Sequence, residues 1–159
     1  MEPEEFVLLH HFPIVGWLEL VVSGSGVRSI TFMSGARKQR RSGRHSVMEE
    51  LVDELDRYFC GKLKEFTVAP DPASGTLFQR RVWEELTRIP YGETRSYRDV
   101  ATGIGKPAAV RAVGMANHHN PIPIVVPCHR VIRADGSLGG YGSGIEVKKA
   151  LLELEGVRL

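Results

Sequence analysis

Three short apolar segments near the N-terminus have the composition of β-strands. They are EEFVLLHHF (residues 4–12), GWLELVV (16–22) and VRSITFM (27–33), all rich in β-branched and aromatic side chains. Pro-Ile-Val-Gly separates the first two segments and Ser-Gly-Ser-Gly the next two, and such residues favour tight turns. We therefore predict an antiparallel meander of three strands.

The apolar period changes to that of a helix after Ser46. The side chains that fall on one helical face are Val47, Leu51, Leu55, Tyr58 and Phe59. Acidic residues lie between them, and Gly61 is predicted to end the helix. Cys60, next to Phe59 at this helix end, is predicted to be a packed thiol.

The segment VAPDPASGT (68–76) is the only one rich enough in Pro, Gly and Ser to act as a linker. We predict a domain boundary there, with an N-terminal α/β domain over residues 1–72 and a second domain over residues 73–159. At 159 residues the chain is long enough to bury its apolar cores without disulfides or a structural metal.

The second domain begins with helical patterns. TLFQRRVWEELTRIP is amphipathic, and its predicted core face comprises Leu77, Phe78, Val82, Trp83 and Leu86. An S-x-x-D start at 96–99, glycines at 103 and 105 and Pro107 predict two more short helices, the second ending near Asn117. This pair is either a helix-turn-helix for DNA or a plain helical hairpin.

The second helix of this pair combines small side chains with one long cation. The small residues are Ala108, Ala109, Ala112, Gly114 and Ala116, and the cation is Arg111. Such a face either packs closely against the preceding helix or enters a nucleic-acid groove, with Arg111 reaching furthest.

The charge distribution favours the second domain as the one that binds a polyanion. The net charge is +2, but residues 1–75 carry nine Lys or Arg against eleven Asp or Glu, and residues 76–159 carry twelve against eight. The basic segment between Arg37 and Arg44 is interpreted as a solvated loop rather than a nucleic-acid patch.

The chain carries no sign of a membrane or secreted protein. No apolar stretch approaches the roughly 20 residues of a membrane helix, and the acidic start MEPEEF lacks the regions of a secretory signal. We expect an intracellular, cytoplasmic protein, nucleoid-associated if it is prokaryotic. Its two cysteines form no C-x-x-C pair and are expected to be reduced, without a bound metal.

Cys128 ends the apolar run NPIPIVVPC, which its three prolines are predicted to hold extended. A lone cysteine in such a run is either a packed thiol or a nucleophile. The adjacent His129 and Arg130, and the five glycines around Tyr141 in a predicted hairpin, DGSLGGYGSG, favour a nucleophile. The final amphipathic helix, IEVKKALLELEG, adds charges that surface ion pairs would explain equally well.

These motifs together match a known family. PCHRVI, with NPIPIVV, GETRSYRDVA, AVRAVGMAN, GGYGSG and KKALLELEG, resembles the O6-alkylguanine-DNA alkyltransferases, also called methylated-DNA-protein-cysteine methyltransferases. The resemblance covers residues 76–159 almost continuously, whereas the first third matches only in element order and length. It implies an α/β (α+β) fold, in which a small ribonuclease-H-like antiparallel sheet with a helix precedes a mainly helical, winged-helix-like domain with a helix-turn-helix.

The resemblance implies DNA repair by direct damage reversal. The alkyl group of O6-alkylguanine, or of O4-alkylthymine, would pass irreversibly to the Cys128 thiolate in one turnover, after the nucleotide has flipped out of the duplex. By the same resemblance, His129 draws off the thiol proton through a water held by Glu155. Tyr97 rotates the phosphate and hydrogen-bonds guanine N3, and Lys148 supports the active-site loop.

The implied partner is double-stranded DNA containing O6-alkylguanine, bound by a monomer, and cooperative binding is left open. The implied DNA-binding residues are Arg111, Ser96, Ala109, Ala112 and Gly114, and Arg111 fills the space that the flipped base leaves. The implied base pocket comprises Asn120, Val131, Tyr141, Gly142 and Ser143, with Gly142 in place of the serine of some relatives. No cofactor is expected, and no metal, because the cysteines that bind zinc in some relatives are missing.

Three alternatives depend on particular residues. Alkyltransferase-like proteins bind damaged DNA without chemistry and usually have tryptophan in place of the acceptor, whereas this chain has Cys128. A winged-helix transcription factor would need base-reading side chains, which AAVRAVGMA almost lacks. A cysteine hydrolase usually takes its histidine from a distant segment and would turn over repeatedly.

Overall fold

The computed structural model describes residues 4–35, 40–41, 43–71 and 74–159. The chain divides into two compact units, Met1–Ser74 and Gly75–Leu159. The boundary predicted between residues 72 and 73 falls on residues outside these ranges and stays a prediction. The longest described helix has 14 residues, and none is long and apolar enough to cross a membrane.

The first unit contains the predicted meander, with a short fourth strand added to it. Its strands are β1 (Glu5–Phe12), β2 (Gly16–Ser23), β3 (Gly26–Phe32) and β4 (Arg40–Arg41). All pairings are antiparallel, in the order β3-β2-β1-β4. Leu18, Leu20 and Val22 are fully buried at every second position of β2, so one face of the sheet forms the core. Most of the basic segment between Arg37 and Arg44 lies outside the described residues.

Helix α1 (Ser46–Phe59) packs against the three strands of the meander. Its buried apolar residues are Met48, Leu51, Leu55, Tyr58 and Phe59. The prediction for Cys60 is wrong, because this thiol is exposed at the C-cap of the helix. Cys60 follows the fully buried Tyr58 by two residues, about 200° around the helix, and therefore points away from the core.

Glu54 ties the chain beyond α1 to the buried side of this helix. Its carboxylate is 1% exposed and accepts hydrogen bonds from the backbone N–H groups of Thr67, at 2.8 and 2.9 Å, and of Val68, at 3.2 Å. The Thr67 hydroxyl donates to the same carboxylate at 2.5 Å. The buried Val68 N–H and two partly buried donors of Thr67 therefore depend on one side chain.

The second unit is mainly helical, with one short pair of parallel strands. Its elements are α2 (Leu77–Leu86), β5 (Arg95–Ser96), α3 (Tyr97–Gly103), α4 (Val110–His118), β6 (Val131–Ile132) and α5 (Ile145–Leu154). Strands β5 and β6 pair with each other, and α2, α3 and α4 pack together. With the sheet of the first unit, this is the α/β fold class that the sequence predicts.

The core face of α2 differs from the predicted one at its first residue. Val82 and Leu86 are fully buried, whereas Leu77 is 68% exposed. Leu77 precedes Val82 by five residues and therefore lies about 140° around the helix from the buried face. Trp83 is half-buried, and its indole N–H donates to the Ala116 carbonyl at 2.8 Å, which joins α2 to α4.

Helices α3 and α4 form the predicted pair. The Ser96 hydroxyl accepts from the Asp99 N–H at 3.0 Å, and the Asp99 carboxylate accepts from the Ser96 N–H at 2.9 Å, so the capping box is complete. Gly105 has φ 76°, a backbone conformation that glycine adopts without strain. Pro107 does not start α4 as predicted, because Lys106 and Ala109 close a turn around it and the helix begins at Val110.

Replacing Glu54 by alanine should lower the free energy of unfolding by about 1–3 kcal/mol, because the buried Val68 N–H and the partly buried donors of Thr67 lose their acceptor. Urea denaturation followed by circular dichroism measures this change. The control is Glu65→Ala, at an exposed position, which should alter stability by less than about 0.5 kcal/mol. Equal effects of the two substitutions would contradict the role given to Glu54.

Candidate active site

Cys128 begins a short 3-10 turn, Cys128–Arg130, and is 4% exposed. The segment before it is a compact loop and not the predicted extended run. The Asn120 side chain donates to the Val126 carbonyl at 2.8 Å and accepts from the Ile122 N–H at 3.1 Å, which folds the segment around this amide. Ile124 adopts φ 76° at the bend. Prolines remove donors but do not prevent such a loop, because Asn120 supplies the missing partners.

The surroundings of Cys128 keep its thiol protonated at rest. Burial raises its pKa, and hydrogen bonds from the side chains of Asn120 and Tyr141 oppose the rise, as does the charge of Lys148. The sulfur lies 3.9 Å from the Tyr141 hydroxyl oxygen. Since burial dominates, a reactive thiolate requires a base that takes the proton.

His129 is fully buried and is held by a carboxylate. Its Nε2 lies 2.6 Å from Oε2 of Glu155. Arg130 donates to both oxygens of Glu155, from Nε at 2.8 Å and from Nη2 at 3.1 Å, so the carboxylate is ionised and Nε2 carries the hydrogen. Glu155 therefore contacts the imidazole directly, and the proton path through a water stays a prediction.

The other ring nitrogen of His129 is the one suited to accept a proton. Nδ1 is buried and has no hydrogen-bond partner among the described residues. Burial lowers the pKa of His129, although Glu155 opposes this effect, so the ring is neutral at rest. A neutral imidazole whose second nitrogen has no hydrogen-bond partner can act as a general base.

Lys148 holds the glycine-rich loop from the inside. Its Nζ is fully buried and donates to the carbonyls of Val131, Leu138 and Gly140 at 2.6, 2.5 and 3.4 Å. The predicted hairpin is therefore absent from residues 135–144, because loop carbonyls bond to this ammonium and not to a strand. The alternative of surface ion pairs is also wrong for Lys148. Burial lowers the pKa of Lys148 to about 8, and Cys128 opposes the decrease.

A pocket of about 410 Å³ opens beside Cys128. It is lined by Tyr97, Gly114, Asn117, His118, Asn120, Pro123, Cys128, Gly140, Tyr141, Gly142 and Ser143. Burial raises the pKa of Tyr97, and Cys128 adds to the rise, so the phenol remains a hydrogen-bond donor. The pocket thus combines a potential nucleophile, two phenol hydroxyls and flexible backbone groups.

Helix α4 forms one edge of this pocket. Gly114 lines it, while Arg111, Ala112 and Met115 are exposed on the outer side of the same helix. Val113 and Ala116 point into the unit. A long cation among small side chains therefore lies on the exposed side of this helix, on a face that a nucleic-acid groove can approach closely.

The family model described as 6-O-methylguanine DNA methyltransferase, DNA binding domain, matches residues 77–157. The chain belongs to this family. A methylated-DNA--protein-cysteine methyltransferase of Methanosarcina acetivorans is 47% identical over 146 residues, which are 89% of this chain and 93% of the relative. The relative of the same name from Mycobacterium bovis is 64% identical over 104 residues, and this match covers 65% of the chain but only 62% of that relative.

Solved structures of the family share the fold. Mycobacterium tuberculosis OGT in complex with DNA superimposes with a TM-score of 0.81 at 49% identity, over 93% of this chain and 91% of that one. The O6-methylguanine-DNA methyltransferase of Pyrococcus kodakaraensis gives a TM-score of 0.58 at 29% identity, with 94% and 98% covered. Both therefore align with nearly the whole of this chain.

Seven of the fifteen residues that the family resemblance singles out line the pocket. Those that line it are Tyr97, Gly114, Asn120, Cys128, Tyr141, Gly142 and Ser143. Three others, His129, Lys148 and Glu155, are buried, as is Val131, whose carbonyl accepts from Lys148. Ser96 caps α3 and Ala109 caps α4. Their roles in binding and catalysis stay predictions.

Sequence analysis missed Asn117. This residue is 7% exposed, lines the pocket, and donates from Nδ2 to the Cys128 carbonyl at 3.4 Å. It shares the inward face of α4 with Val113 and Ala116. An amide on an otherwise apolar helix face is costly to bury. The position of Asn117 on this face could therefore have indicated a functional residue.

Replacing Glu155 by alanine should lower the free energy of unfolding by about 3–5 kcal/mol, because the Arg130 guanidinium stays buried without its counter-charge. Urea denaturation of the purified variant measures the loss. Glu153→Ala, at an exposed position of α5, is the matched control and should be nearly neutral. A loss below about 1 kcal/mol for Glu155→Ala would show that water replaces the carboxylate.

Proposed function

We propose that this protein repairs DNA by transferring the alkyl group of O6-alkylguanine to the sulfur of Cys128. The observation that carries the proposal is a cysteine in the wall of a 410 Å³ pocket, with a buried, neutral imidazole at the next residue. The pocket is large enough for a purine with its alkyl group. Family membership and the names of the relatives support the same reaction.

The chemistry needs one proton transfer and one displacement. His129 takes the thiol proton at Nδ1, directly or through one water, and the electron pair stays on the Cys128 sulfur. The thiolate attacks the alkyl carbon, so a carbon–sulfur bond forms as the bond to O6 breaks. Guanine leaves with the displaced electron pair, and the protonated phenol of Tyr97 stabilises it by donating to N3.

The product fixes the stoichiometry. A thioether sulfur is neither expelled nor hydrolysed under mild conditions, so each molecule reacts once and does not turn over. O4-alkylthymine presents the same kind of alkyl ether and is a second substrate of the same site. A cysteine hydrolase, in contrast, would regenerate its thiol in every cycle.

The DNA partner is proposed from the geometry of α4. Its exposed Arg111 and small residues enter the minor groove, the nucleotide swings out into the pocket, and Arg111 fills the space that it leaves. Ser96, Ala109, Ala112 and Gly114 lie along the DNA path. A relative that was crystallised in complex with DNA supports DNA as the partner. The protein acts as a monomer in the cytoplasm or on the nucleoid.

Within the pocket, the base is read mainly by backbone groups. Asn120 braces the loop before Cys128, Tyr141 packs on the base, and the backbone at Val131, Gly142 and Ser143 contacts its edge. Glycine at position 142 does not weaken this contact, because the backbone amide and not a side chain makes it. Lys148 keeps these loop groups in place through its three carbonyl bonds.

Cys128→Ala should bind duplex DNA as the parent protein does and accept no alkyl group, because only the nucleophile is removed. Intact mass spectrometry after incubation with an oligonucleotide containing O6-methylguanine measures the transfer. The parent should gain one methyl group per molecule and stop. Transfer to Cys128→Ala, or repeated turnover by the parent, would refute the proposal.

Arg111→Ala should slow the repair of duplex by at least about tenfold, since stabilising an extruded nucleotide offsets a few kcal/mol of unstacking. Its reaction with free O6-benzylguanine should change less than about twofold, because no duplex is opened. Arg81→Ala, on the exposed side of α2, is the control arginine. Equal losses on both substrates would remove Arg111 from the extrusion step.

A further inference from the structure

Two buried side-chain atoms near the active site lack hydrogen-bond partners. In the described part of the chain they are Oδ1 of Asn117 and Nδ1 of His129. A buried polar atom without a partner costs about 1–3 kcal/mol, so proteins keep few of them. Both atoms belong to residues that adjoin Cys128, one through the chain and one through a hydrogen bond.

The amide of Asn117 lies against the peptide that joins Cys128 to His129. Its Nδ2 donates to the carbonyl of this peptide at 3.4 Å, and the same residue lines the pocket. Nδ1 is the ring nitrogen of His129 nearer to the backbone, because it is bonded to Cγ, while Nε2 contacts Glu155. The two unpartnered atoms therefore belong to two residues that meet at this peptide, Asn117 through its hydrogen bond and His129 through the chain.

Their chemistry explains why they are not bonded to each other at rest. A carbonyl oxygen only accepts, and Nδ1 of a neutral imidazole with hydrogen on Nε2 also only accepts. Two acceptors repel and gain nothing by approaching. The arrival of a proton at Nδ1 turns this nitrogen into a donor, and Asn117 then provides the nearby acceptor that has no other partner.

We propose that Asn117 is a positioning residue for thiolate formation, whose Oδ1 accepts a hydrogen bond from Nδ1–H of His129 after the proton of Cys128 has moved there. In this step the S–H bond breaks, a N–H bond forms, and the electron pair remains on sulfur. Asn117 acts through His129 and does not touch the alkyl group. The inference deepens the proposed function, because it explains how a buried thiol is ionised.

Among the described residues, none of the charged groups around His129 bonds to Nδ1, so the position next to this nitrogen is available to a neutral acceptor. Glu155, at the end of α5, favours the protonated ring from the Nε2 side. Arg130, on the same turn, and Lys148, from α5, disfavour it. On the thiol side, Cys128 faces the hydroxyls of Tyr97 and Tyr141, with Asn120 and Lys148. Among the described residues no group bonds to Nδ1, so an acceptor there adds stabilisation that Glu155 does not supply.

The test measures thiolate formation without DNA. All proteins carry Cys60→Ser, since Cys60 is an exposed second thiol. Carbamidomethylation of Cys128 by iodoacetamide is followed by intact mass spectrometry between pH 6 and 10. In Asn117→Leu, whose side chain has nearly the same shape, the midpoint of the pH–rate profile should rise by about one pH unit. The reason is that the protonated imidazole of His129 loses the uncharged acceptor for its Nδ1–H.

The reaction rate at the high-pH plateau distinguishes a positioning role of Asn117 from a structural one. Above the midpoint the thiol ionises without help, so Asn117→Leu should react there as fast as the parent. Asn117→Ala should give the same shift and serves if the leucine variant does not fold. Met115→Ala, at an exposed position of the same helix, should leave the midpoint unchanged.

An unchanged midpoint in both Asn117 variants would overturn the inference. So would an equal change of rate at every pH, because that pattern indicates altered access to the sulfur. The assay uses neither DNA nor an alkylated base. A shifted midpoint would therefore support the role of Asn117 even if the alkyl transfer proposed for Cys128 were not observed. The two experiments can thus contradict the two claims independently.

Discussion

The buried charge of Glu155 is the interaction on which the second unit depends. A carboxylate without solvent is tolerated only with a cation and further donors, and Arg130 supplies both of its oxygens with hydrogen bonds. Arg130 also donates to the Ile89 carbonyl at 2.7 Å, beyond the end of α2, and the Gly92 N–H approaches the carboxylate at 3.3 Å. One ion pair thus connects α2, α5 and the turn of Cys128. The same carboxylate orients the imidazole of His129. One interaction therefore both stabilises the fold and orients this side chain.

Burial keeps the Cys128 thiol protonated at rest, and the same pocket supplies the groups that stabilise its thiolate. A thiol in a low-dielectric pocket keeps its proton, which protects it from reagents that would consume an exposed cysteine such as Cys60. The pocket nevertheless surrounds the sulfur with donors, from Tyr141, Asn120 and the ammonium of Lys148. These groups stabilise a thiolate once a base has taken the proton. The proposed single transfer would benefit from this arrangement, because an accidental alkylation of Cys128 would prevent it.

Helix α4 faces two environments. Arg111 is exposed and Asn117 is buried, and six residues along a helix place them about 120° apart around its axis. Gly114, between them, lines the pocket. The helix that would meet DNA therefore also holds the peptide at the reactive cysteine. The indole of Trp83 joins this helix to α2 and so fixes both of its sides within the unit.

The sequence by itself determined the features that are encoded within a few residues. The strands of the meander, the face of α1, the capping box at Ser96 and Asp99 and the family motif around Cys128 all depend on local period, turn chemistry or a continuous string of residues. Tertiary structure decided which distant group each polar atom meets. Lys148 bonds a carbonyl 17 residues away, Glu155 reaches His129 across 26 residues, and Arg130 bonds Ile89 across 41. No local pattern predicts that such charges are buried, because burial depends on which surfaces pack together, and the same sequence pattern describes a solvated helix equally well.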